Sequence, residues 1–177
     1  MSSIELKERY DVGLLAAAGG VGIELGVAEG VFSEQILRRS ALSYLYSVDV
    51  YAGDRGHNDD EYRRALTRLM PHRSRNAILR MRFDEAVKLF PDNTFDFVYV
   101  DGYAHTGQEG GRTLEEWWPK AKSGAVFGGD DYCDGWPLTK QAVDQFVMRQ
   151  GVELNVIRND NPDSPWSQHP TWWVIKP

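Results

Sequence analysis

The stretch Val21-Gly22-Ile23-Glu24-Leu25-Gly26-Val27-Ala28-Glu29-Gly30-Val31-Phe32-Ser33 decides the fold. It starts as a short apolar run, meets Gly26 and Gly30 with three residues between them, and continues into Glu34-Gln35-Ile36-Leu37. This order predicts a strand over 21–25, a tight glycine turn and a helix over 32–39. In a parallel α/β sheet, such a turn lies where nucleotide-like ligands dock.

The rest of the chain repeats the alternation. Strands are expected at 42–50, 76–81, 95–100 and 125–128, with helices at 59–70, 84–89, 108–118 and 139–149. Pro71 and Pro119 close two of these helices. Residues 4–18 read as an N-terminal helix ended by Gly19-Gly20. Two last strands, 152–157 and 171–175, are joined by a polar loop containing Pro162, Pro165, Trp166 and Pro170. With no crossover helix between them, these two should pair antiparallel. The expected fold class is α/β: one Rossmann-like, doubly wound, seven-stranded sheet over 1–177, mostly parallel with an antiparallel last strand.

Composition narrows the partners. The chain has 177 residues and a formal net charge of -6, with no dense Lys/Arg block. Nucleic-acid binding needs clustered cations, so no nucleic-acid partner is expected. The longest early apolar run, from Val12 to Ala18, is far too short to span a membrane. The N-terminus lacks the apolar core of a signal peptide. Cys133 is the single cysteine, so no intrachain disulfide is possible. A cytoplasmic protein is expected. Self-association is left open.

The turn does not read Gly-x-Gly-x-x-Gly. It reads Glu24-x-Gly26-x-x-x-Gly30, with Glu29 inside. Two carboxylates would repel a pyrophosphate but suit a ligand with cationic groups, such as the sulfonium and ammonium of S-adenosylmethionine. Asp49, at the end of the second strand, is placed to accept from ribose hydroxyls. Asp101, Asp130 and Asp131 should also fall at strand ends, in the crevice. Carboxylates packed together raise one another's pKa, and a hard divalent cation would relieve that cost.

Taken together, these residues resemble a class I S-adenosylmethionine-dependent methyltransferase. The closer similarity is to the group of macrolide-sugar O-methyltransferases and cephalosporin-hydroxylase-like proteins. The resemblance rests on Glu24 to Gly30, Val48-Asp49, Phe95 to Gly102, Trp117 to Gly124 and Gly129-Asp130-Asp131-Tyr132. It implies a donor site of Glu24, Gly26, Val27, Gly30, Asp49, Val50, Phe83, Asp84 and Asp101. It also implies Mg²⁺ held by Asp101, Asp130 and Asp131, and O-methylation of a small hydroxylated acceptor such as a sugar. A base would take the hydroxyl proton, from among His105, Asp101 and Asp131. Relatives place a histidine three residues after the fourth-strand aspartate; here His105 comes one residue later. Phe83 could stack on the adenine or be core, and Asp84 could accept from the adenine or cap a helix. Tyr51 is a further candidate for packing near the nucleoside. Trp136 and Trp166 are candidate substrate walls, and His57, His72 and His169 read as loop residues. The alternatives are a nicotinamide-dependent oxidoreductase and a non-catalytic module that binds the donor.

Overall fold

A computed structural model of the chain describes residues 5–53, 56–158 and 169–177. Trp166 and most of the 158–170 loop lie outside the described residues. Seven strands form one sheet: β1 (Val21–Leu25), β2 (Tyr44–Asp49), β3 (Asn76–Arg80), β4 (Phe95–Val100), β5 (Ala121–Gly129), β6 (Asn155–Ile157) and β7 (Thr171–Ile175). Their order is β3-β2-β1-β4-β5-β7-β6. β7 runs antiparallel to both its neighbours, and the other six strands are parallel, as expected.

The helices are α1 (Val31–Arg39), α2 (Asp59–Leu69), α3 (Phe83–Ala86), α4 (Gly107–Gly110), α5 (Arg112–Trp117) and α6 (Pro137–Gln150). They cover both faces of the sheet, so the central strands are apolar on both sides. In β4, Val98 and Val100 join one core with Ile23, Leu25, Trp117, Phe127 and Trp172. Phe97 and Tyr99 join the opposite core with Tyr10, Phe32 and Ile36. Asp96, on the same strand, ties the sheet's lower edge. Its Oδ2 accepts from the Val21 N–H at 2.9 Å and from Lys122 Nζ at 2.7 Å.

Besides a shorter β6 and a helix at 84–89 that turns 3-10 after Ala86, three segments differ from expectation. The N-terminal helix is a 3-10 helix over Arg9–Leu15, not an α-helix over 4–18. Asp11 Oδ2 caps its start by accepting from the Lys7 and Glu8 N–H groups, and Ala16 is already extended. Second, the expected 108–118 helix breaks, because Gly107, Gly110 and Gly111 all have positive φ. Third, β5 is longer than 125–128 and carries the chain up to Asp130.

Candidate active site

The glycine turn is held together by its neighbours. The Gly26 N–H donates to Val48 O at 2.9 Å, and the Asp101 N–H donates to Leu25 O at 2.7 Å. Gly26 has φ +100°, and a Cβ there would lie 2.0 Å from the Asp101 carbonyl oxygen. Only glycine fits this crossing between the end of β1 and the end of β4. Gly30 caps α1 in the left-handed region.

Asp49 works on the turn itself. Its Oδ2 accepts from the Val27 N–H at 2.9 Å and the Ala28 N–H at 3.1 Å, and its Oδ1 from the Tyr51 N–H at 3.2 Å. The carboxylate is therefore first a clamp on the loop. Tyr51 is also structural. Buried in full, it donates its hydroxyl to Ala28 O at 2.8 Å and packs against Tyr62.

Glu24 is wholly buried. Ser33 Oγ donates to its Oε2, while its Oε1 has no hydrogen-bond partner among the described residues. Burial pushes its carboxyl well above the usual range, although Ser33 opposes that. A buried acceptor without a donor is costly, so this oxygen is suited to a ligand N–H. Glu29, by contrast, turns outward to Arg64 Nε at 2.8 Å.

Two adjoining hollows form the cleft. The larger, a cavity of about 300 Å³, is lined by Glu24, Val27, Glu29, Arg9, Asp131 and Trp136 among others. The smaller includes Asp49, Val50, Ala52, Arg82 and Phe83. Gly26, His57, Asp101, Gly102 and Tyr103 border both. Phe83 meets Tyr103 edge-on at 5.0 Å, and a Cβ on Gly102 would collide with the Phe83 ring. Asp84 stands away from the cleft. It pairs with Arg82 Nε at 2.9 Å, which holds its carboxyl below the usual range.

At the far end of the cleft, Asp101 and Asp130 converge on a residue that the sequence reading did not single out. Arg9 reaches in from the 3-10 helix. Its Nη2 lies 2.5 Å from Asp101 Oδ2, and its Nη1 lies 3.0 Å from Asp130 Oδ2. The guanidinium also sits over the Phe32 and Tyr99 rings, at 4.8 and 5.6 Å. Burial works against its charge, but Tyr99 and the two carboxylates together outweigh that and its pKa stays raised. Burial likewise pushes the Asp130 carboxyl up, against the pull of Arg9. Asp130 Oδ1 accepts from Thr171 Oγ1 at 2.9 Å, so both its oxygens are engaged.

Asp131 has φ +65° and turns into the larger hollow. Burial, together with the charge on Asp101, pushes its carboxyl up to about 6. His105 lies exposed on the turn Ala104–Thr106 and does not line the cleft.

The sequence expectation of Mg²⁺ on Asp101, Asp130 and Asp131 does not fit this arrangement. Among the described residues, no group of three or more His, Cys, Asp or Glu side chains is arranged to hold a metal ion. The reason is physical, since Asp101 Oδ2 and both oxygens of Asp130 already face Arg9 and Thr171. Sequence reading missed Arg9, His57 and Tyr103 as cleft residues, whereas Trp136, a candidate substrate wall, does line the larger hollow. For Arg9 the available signal was a cation beside Tyr10 and Val12, on a segment with a partly amphipathic pattern.

The comparisons with known proteins bear on the family and the fold. No curated protein matches the chain. Among solved structures, the chain is similar to an S-adenosylmethionine-dependent O-methyltransferase from Thermotoga maritima. The identity is 12% and the TM-score 0.67, over 98% of this chain and 67% of that one. It is also similar to an O-methyltransferase from Bacillus cereus solved with S-adenosylhomocysteine. There the identity is 13% and the TM-score 0.65, over 89% of this chain and 75% of that one. An rRNA methylase from Streptococcus thermophilus matches at 12% identity and TM-score 0.65, over 94% of this chain and 93% of that one. At these identities the likeness concerns the fold. A protein-family model described as a methyltransferase domain matches residues 23–132, more than half the chain. The chain therefore belongs to this methyltransferase family, with the fold of the class I S-adenosylmethionine-dependent enzymes.

Proposed function

We propose that the protein binds S-adenosylmethionine across the two hollows and methylates a hydroxyl group of a small molecule, with a sugar as one acceptor class to test. The observation that carries this reading is the unpartnered Glu24 Oε1, buried beside the glycine turn and bordering the larger hollow. It suits the donor's ammonium group, and the neighbouring turn offers no site for a phosphate. The smaller hollow, between Val50 and Phe83, suits an adenosine.

The donor supplies a methyl group on a positively charged sulfur, which leaves as a neutral thioether. The chain's own residues supply position and a base. Tyr103 and Gly102 border both hollows and set where donor and acceptor meet. Asp131 takes the acceptor's hydroxyl proton as the new oxygen–carbon bond forms. Its oxygens carry no ion pair among the described residues, and its raised pKa of about 6 places it near the working range of a general base. Asp101 and Asp130 are held by Arg9 and serve as a fixed charge pair. Asp84 and His105 take no part. The net charge of -6 supports a small acceptor over a nucleic acid.

Calorimetry with S-adenosylmethionine and with NAD tests the donor, and a turnover assay over hydroxylated small molecules and an rRNA fragment tests the acceptor. Binding of NAD but not S-adenosylmethionine would overturn the reading, and methylation of the rRNA fragment alone would overturn the acceptor class.

A further inference from the structure

We infer that Arg9 is the built-in cation of the acidic centre, standing where a metal-dependent enzyme of this fold would hold a divalent ion. Three carboxylates at neighbouring strand ends need a counter-charge. The guanidinium supplies it through two different nitrogens, one to Asp101 and one to Asp130. That planar fork suits two acceptors on adjacent strands, which an ammonium could not serve as well. Only 9% of the Arg9 side chain is exposed, and its charged face lies against Phe32 and Tyr99.

A divalent ion entering here would meet three obstacles. It would have to displace Arg9 from Asp101 and Asp130, and Thr171 from Asp130 Oδ1. It would also sit beside a buried positive charge. Mg²⁺ is usually held through one or two carboxylates with waters filling its octahedron, and here the oxygens of Asp130 and one oxygen of Asp101 are already taken by Arg9 and Thr171. Arg9 also ties the acidic centre to the donor turn, because Phe32 lies in the first turn of α1, directly after Gly30.

The cation assignment stands on these contacts alone. The claim that turnover needs no metal rests on the methyl-transfer reading. The test uses Mn²⁺ as the probe, read by electron paramagnetic resonance on the full chain after treatment with chelator. The wild type should hold no bound Mn²⁺ at millimolar concentration, and turnover should be unchanged in excess chelator. Arg9→Met should leave the carboxylates facing one another and create a Mn²⁺ site at least tenfold tighter than any in the wild type. Arg9→Lys, which keeps the charge, should still exclude the ion. Stoichiometric Mn²⁺ on the wild type, lost in Asp131→Asn, would overturn the inference. So would activity abolished by chelator and restored by Mg²⁺. Should Arg9→Met not fold, the wild type and Arg9→Lys still decide. A separate titration with S-adenosylmethionine keeps the two ideas apart: failure to bind donor sinks the methyl-transfer reading and leaves the Mn²⁺ result to judge Arg9.

Discussion

The two ends of the cleft are built differently. The donor end is local: Glu24 to Ser33 form one continuous strand, turn and helix, and Asp49 clamps the turn from the neighbouring strand. The acidic end is assembled from distant parts. Arg9 and Asp101 lie 92 positions apart in the chain, and Asp130 comes from a further strand. The local site holds its turn through backbone N–H groups and leaves Glu24 Oε1 open for a ligand. An assembled site depends on every contributor, and one missing charge leaves the others uncompensated.

The sharpest way to break this contrast is at Asp131. Asp131→Asn should lower turnover by roughly 10²–10⁴-fold, while donor affinity by calorimetry stays within a few-fold. Equal losses in both would make the two ends one site. In the wild type, turnover should rise with pH to a plateau, with a midpoint near 6. The same residue makes a stability prediction. Its folded pKa lies above its ordinary value of 3.8, so its stabilising effect is present below about pH 4 and is lost as pH rises through about 6. Asp131→Asn should therefore be more stable than wild type at pH 7.5, by about 3 kcal/mol, and nearly equal at pH 3.5 in thermal melts.

Next in size is Arg9→Ala. Removing one partner of a buried ion pair costs about 3–5 kcal/mol. A denaturant titration showing no loss would mean that the acidic end carries its charge without Arg9. At the donor end, Glu24→Gln keeps the shape and removes the charge. It should weaken S-adenosylmethionine binding by roughly 1–3 kcal/mol, with little change in the melting temperature. Unchanged donor affinity would remove Glu24 from the site. The smallest effect is expected at His105→Ala. With its ring exposed and outside the cleft, turnover should stay within about twofold.

These differences follow what a sequence can encode. The strand–turn–helix pattern, the apolar β4 and the strand-end carboxylates were legible, because periodicity and glycine spacing act over a few residues. The roles of Asp49, Asp84 and His105 were not. Asp49 spends its oxygens on three backbone N–H groups, Asp84 turns to Arg82, and His105 rests on a turn facing outward. Side-chain direction at a strand or loop end depends on neighbours that the local pattern does not name.

The sequence by itself determined the seven-stranded order of elements, the glycine turn and the need for a counter-charge among Asp101, Asp130 and Asp131. Only the tertiary structure decided what supplies that charge. The packing of the 3-10 helix against α1 and β4 delivers Arg9 to carboxylates from two other strands, and contacts at that sequence separation leave no periodic trace in the chain.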